Sequence, residues 1–62
     1  MSSAKDLIVR IEKVAKNRVV VEYVDGKRAI FDLMKMLDGS KVYLVTWLDE
    51  NGKIIGTNVT PP

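Results

Sequence analysis

Asp49 and Glu50 are adjacent carboxylates, the one arrangement in this chain that invites an acid–base reading. Such chemistry needs two groups whose pKa values are driven apart by burial or by a fixed partner. This pair falls inside Asp49-Glu50-Asn51-Gly52, a turn signal that leaves both side chains in water. The chain contains no histidine and no cysteine, which removes the usual nucleophile–base pairs, thiolate and imidazole metal sites, and proton shuttles near neutral pH. Its glycines lack the spacing of a phosphate-binding loop. The expectation is a protein that is not an enzyme, with no metal, no cofactor and no small-molecule substrate. Asn58-Val59-Thr60 matches a glycosylation acceptor and reads as a chance match within a strand.

The chemistry that remains is electrostatic. Lys13, Lys16 and Arg18 lie within one six-residue stretch with no acid between them, Arg10 and Arg28 flank it in the chain, and Lys53 opens the last strand. Positive charge of this kind suffices for phosphate contacts, and Tyr23, Tyr43 or Trp47 could add stacking, while Phe31 is assigned to the core. The net charge of +2 permits an acidic or nucleic-acid partner without demanding one.

The elements that must position these residues centre on Arg18 to Phe31. Val19, Val20, Val21 and Tyr23 suit a pleated surface, and Asp25-Gly26 suits a reversal, so the stretch predicts a β-hairpin. A three-residue loop, Val24-Asp25-Gly26 with Gly26 left-handed, places Glu22 opposite Arg28, Val21 opposite Ala29, Val20 opposite Ile30 and Val19 opposite Phe31. A two-residue loop would set Asp32 against Val19 and charge the apolar face.

Residues 4 to 16 fit two patterns. A helix would align Ala4, Leu7, Ile8, Ile11, Val14 and Ala15, with Ser3 and Asp6 as a capping box and Asp6/Arg10 and Glu12/Lys16 one turn apart. A strand would set Leu7, Val9 and Ile11 against Arg10 and Glu12, leaving Ile8 as the misfit. Three similar turn stretches, Ala15-Lys16-Asn17-Arg18, Val24-Asp25-Gly26-Lys27 and Glu50-Asn51-Gly52-Lys53, favour the strand for residues 6 to 14. With Asn17 left-handed, Arg10 then lies opposite Glu22 in an Arg10-Glu22-Arg28 row.

Asp32 to Gly39 predicts a short helical segment, with Asp32 as N-cap, Leu33, Met36 and Leu37 inward and Gly39 as the stop. Lys41 to Leu48 and Lys53 to Val59 predict a final hairpin. If Asn51-Gly52 forms a two-residue turn, Trp47 lies opposite Gly56. Val42, Leu44 and Leu48 would share one face and Tyr43, Val45 and Trp47 the other. Apolar residues on both faces, with Ile8, Val20 and Ile30 on the outer face of the first sheet, point to a closed barrel or to a second copy that covers them.

The order of three strands, a helical segment and two strands resembles the OB fold, and its smallest members above all: translation initiation factor 1 and S1-type domains. The residues that carry the resemblance are Ile8-Val9-Arg10-Ile11-Glu12-Lys13-Val14, then Val19-Val20-Val21-Glu22 with Asp25-Gly26-Lys27, and Leu37-Asp38-Gly39-Ser40-Lys41-Val42. An SH3-like barrel of the same size is the rival. The resemblance implies a mostly β, five-stranded antiparallel barrel over residues 1–62, as a single domain, with the first and last hairpin loops framing an oligonucleotide site. Two functions are then expected. One is nucleic-acid binding, of RNA or a ribonucleoprotein surface, through Lys13, Lys16, Arg18, Arg10, Arg28 and Lys53. The other is a protein-interaction or self-assembling module, a homodimer through Ile8, Val20 and Ile30. No apolar run is long enough to span a membrane or to serve as a signal segment, so a cytoplasmic location without membrane contact is expected.

Overall fold

A computed structural model describes residues 7–62. Five strands follow one another: β1 (Ile8–Ala15), β2 (Arg18–Tyr23), β3 (Arg28–Lys35), β4 (Lys41–Leu48) and β5 (Ile54–Thr60). They form one antiparallel sheet in the order β1-β2-β3-β4-β5, a plain meander. Residues 8 to 16 thus belong to a strand and its turn rather than a helix. The proposed cap residues Ser3 and Asp6 lie outside the described residues.

The β2–β3 hairpin has the expected register. The Tyr23 amide donates to the Lys27 carbonyl at 2.8 Å, the Gly26 amide to the Tyr23 carbonyl at 2.9 Å, and Gly26 has φ +90°. Glu22, Val21, Val20 and Val19 then face Arg28, Ala29, Ile30 and Phe31. The same loop closes the next two hairpins, as Leu37-Asp38-Gly39 and Glu50-Asn51-Gly52, so left-handed glycines recur at 26, 39 and 52, thirteen residues apart. In each, an aspartate anchors the turn. Asp25 accepts from the Lys27 amide, Asp38 from the Ser40 amide and hydroxyl, and Asp49 from the Asn51 and Lys53 amides.

The expected helix over Asp32 to Gly39 does not form. Asp32, Leu33, Met34 and Lys35 extend β3 and pair with Leu44, Tyr43, Val42 and Lys41. A helix of two turns gains few hydrogen bonds for its nucleation cost, whereas the ladder satisfies the backbone of eight-residue β4 along its whole length.

The first hairpin reaches the expected Arg10↔Glu22 pairing by another route. No described non-glycine residue has positive φ, so Asn17 is not left-handed. Lys16-Asn17 forms a two-residue connection with Ala15 opposite Arg18, and a bulge at Val14 restores the register. A second bulge at Val9 turns Ile8 to the same face as Ile11, which resolves the misfit in the alternation. In the last hairpin the two-residue turn at Asn51-Gly52 considered above does not form; the loop has three residues, and Trp47 still comes to lie opposite Gly56 because a bulge at Ile55 shifts the register by one.

The sheet is not closed: β1 and β5 are free edges, and the expected barrel is absent. Closure requires strong coiling, introduced by glycine kinks and bulges in the strands. The β2–β3 and β3–β4 ladders contain no register shift, and β2, β3 and β4 contain no glycine. The consequence is a single layer. Its radius of gyration is 12.6 Å, against about 10.6 Å for a compact chain of this length. Among the described residues only Val21, Ala29 and Val45 are buried, at 7%, 0% and 2% exposure.

Candidate binding face

Directly paired residues of neighbouring strands share a face, so the registers assign each side chain to one of two surfaces. The front face carries the rows Ile11-Val21-Ala29-Trp47-Gly56 and Lys13-Val19-Phe31-Val45-Asn58, with Ile8-Tyr23 beyond one end and Leu33-Tyr43-Thr60 then Lys35-Lys41 beyond the other. Its aromatic rings form two pairs. Tyr23 and Trp47 lie 5.9 Å apart at 30°, and Phe31 meets Tyr43 edge-on at 6.1 Å and 83°. The Trp47 indole N–H donates to Asn58 Oδ1 at 3.2 Å. These rings roof Ala29 and Val45 but remain half-exposed themselves. Charge within the paired rows of this face is limited to Lys13, Lys35 and Lys41, with Lys27 across the loop from Tyr23.

The back face is different. Its rows Arg10-Glu22-Arg28-Leu48-Ile54, Glu12-Val20-Ile30-Thr46-Thr57 and Arg18-Asp32-Leu44-Val59 put six charges on β1 to β3 and uncharged residues, four of them aliphatic, on β4 and β5. Arg18 grips Asp32 bidentately, Nε to Oδ1 at 2.6 Å and Nη2 to Oδ2 at 3.2 Å. That hydrogen bond, then the carboxylate's charge, raises the Arg18 pKa above its ordinary value. Arg10 pairs along its own strand with Glu12 at 3.1 Å, although Glu22 is its cross-strand neighbour.

The residues expected to bind nucleic acid do not converge. Arg10, Arg18 and Arg28 lie on the back face, two of them on carboxylates, while Lys13 is on the front. Lys16 and Lys53 occupy turns at opposite ends, because in a meander the β1–β2 and β4–β5 turns point opposite ways. The two loops expected to frame one site are therefore separated by the length of the strands. The β4–β5 turn instead meets the β2–β3 turn, where a Cβ built on Gly26 would stand 3.2 Å from Glu50 Cβ. The adjacent acids stay in that turn, Asp49 holding its own backbone amides.

The expected interface set also divides. Val20 and Ile30 pair on the back face, whereas the Val9 bulge places Ile8 on the front beside Tyr23. Lys35 and Lys41 were hidden from sequence reasoning by the helix assignment. The legible signal was Leu37-Asp38-Gly39-Ser40, whose Asp-Gly matches Val24-Asp25-Gly26-Lys27 and sets Lys35 opposite Lys41. With Lys16, Asn17, Leu33 and Met34, these two lysines line an open hollow of about 260 Å³. Among the described residues no group of three potential metal ligands is assembled, and no helix is long and apolar enough to cross a membrane.

Comparison with protein-family models, with curated proteins and with solved structures finds no match.

Proposed function

We propose that the chain is a non-catalytic, self-associating β module in which the front face packs against the same face of a second copy. The observation that carries this is the aromatic front face: with Lys13 at its β1 edge as the one charge in its two central rows, it lies open in a sheet with three buried side chains among the described residues. A layer of this kind is stable when its apolar face is covered by a second layer. Strands of eight residues span about 26 Å, and five of them about 19 Å across, so two copies would bury about 1,000 Å² of planar footprint. Side-chain relief enlarges that figure, which already stands at the threshold of specific interfaces.

The mixed charges of the back face suit solvent, and they argue for the front face as the buried one. The lysines suggest the orientation. With strands of the two copies antiparallel, the Lys35-Lys41 end of one lies over the Ile8-Tyr23 end of the other, and the cations stay apart. Sedimentation of the full chain across a wide concentration range tests the reading. A particle of twice the chain mass that dissociates on dilution is expected; a monomer at every concentration with native far-UV dichroism would sink it.

A further inference from the structure

The β1–β2 and β3–β4 turns lie at one end of the sheet and bring Lys16 to the cross-strand pair Lys35 and Lys41. Like charges set directly opposite destabilise a sheet. Elsewhere, Arg10 has Glu12, Arg18 has Asp32 and Lys27 has Asp25, while Lys13, Arg28 and Lys53 stand singly at separate places on the sheet. Among the described residues no carboxylate lies within ion-pair distance of Lys16, Lys35 or Lys41. Two acids near this end are engaged, Asp32 by the Arg18 fork and Asp38 by the Ser40 amide and hydroxyl. Three cations thus border one hollow with no counter-charge. Asn17 adds an amide side chain that no hydrogen bond engages among the described residues, and Leu33 provides an apolar floor.

We infer that this hollow holds a backbone phosphate of a single-stranded nucleic acid, with Lys16, Lys35 and Lys41 as the cations that neutralise it. The ligand class follows from three features. Three ammonium groups without an arginine fork recognise charge rather than planar geometry, which suits a phosphodiester in any sequence context. The hollow is open, so it fits a polymer passing across it, whereas a small phosphorylated metabolite needs a cleft that buries most of its surface. The hollow lies between two turns at the rim, where Leu33 ends the apolar rows of the front face. In the antiparallel pairing proposed above the Ile8-Tyr23 end of the second copy lies over Lys35 and Lys41, so the oligonucleotide is bound by the unpaired front face, and the inference does not depend on dimerisation.

The test is binding of a labelled short oligouridine to the full chain between about 50 and 200 mM salt, with K16Q/K35Q/K41Q and, as a control at the other end of the sheet, K53Q. Single-strand binding through three cations gives a logarithmic salt slope of about −2. The triple variant should bind at least tenfold more weakly at the lower salt and lose most of that slope, while K53Q should match the parent. K41Q alone should raise the melting temperature without ligand, since it removes the like-charge pair, and this separates lost binding from lost folding. Parent and triple variant binding alike, or no salt-dependent binding by the parent, overturns the inference. Competition by inorganic phosphate at the concentrations at which the oligomer competes, or preference for the corresponding duplex, overturns the single-stranded source.

Discussion

Ile11→Lys separates a solvent face from an interface. Ile11 is 66% exposed on the front face at edge strand β1, and Val59 is 62% exposed on the back face at edge strand β5. In a monomer either lysine substitution costs within about 0.5 kcal/mol, because neither side chain has a core to leave. In the proposed dimer the two are unequal. Complete burial of an isoleucine contributes about 3 kcal/mol at most, so covering the exposed two-thirds of Ile11 contributes about 1–2 kcal/mol per copy. Two-fold symmetry counts it twice, which gives about 2–4 kcal/mol for the dimer, or roughly 30- to 1,000-fold in its dissociation constant. The buried ammonium would add to that loss. Sedimentation equilibrium on parent, I11K and V59K reads the constants directly, and far-UV dichroism reports on the sheet. The reasoning fails if I11K dimerises like the parent, or if V59K weakens the dimer as much.

Other consequences can be checked separately. Gly39→Ala should destabilise by about 1–2 kcal/mol from backbone conformation alone, since the new Cβ meets nothing within 4 Å. Gly26→Ala, at the same φ but 3.2 Å from Glu50 Cβ, should cost more; urea unfolding of the two side by side isolates that contact. The Ser40 hydroxyl, then its amide, holds the Asp38 pKa below 3.8. A depressed carboxylate stabilises above its unfolded pKa and loses that contribution as pH falls through the folded value, so the β3–β4 turn should loosen only in strong acid. Ser40→Ala should move the Asp38 titration back upward by carbon-detected NMR. If self-association is coupled to folding, the melting temperature of the parent should rise with protein concentration, and that of I11K should not.

The local order of the chain was legible, and its errors have identifiable causes. The hairpin about Asp25-Gly26 followed from one criterion, that no charge be forced onto the apolar row, and its register is as expected. The division of β4 into Tyr43, Val45 and Trp47 against Val42, Leu44 and Leu48 followed from the period of two. The helix assigned over Asp32 to Gly39 failed because Leu33, Met36 and Leu37 satisfy a helical spacing over so short a window, while the competing ladder partner lies further along in Lys41 to Leu44. That one error concealed the Lys35-Lys41 pair. The bulges at Val9, Val14 and Ile55 were equally invisible, since a bulge is defined by what the opposite strand does. Through them Ile8 changed faces and the expected interface residues parted company.

The sequence by itself determined the β2–β3 hairpin with its Asp25-Gly26 turn, the strand β4 and the side of the sheet on which their residues stand. Those are consequences of backbone sterics and side-chain alternation, which act over a few residues. Only the tertiary structure decided that the meander stays open, because closure depends on coiling accumulated across all the strands and is written in no single one. It likewise decided which cations meet, since Lys16, Lys35 and Lys41 become neighbours only when alternate turns gather at one end. The grouping expected from the linear order, Lys13, Lys16 and Arg18, was undone by pleating, which sends Lys13 to the front face and Arg18 to the back, where Asp32 holds it.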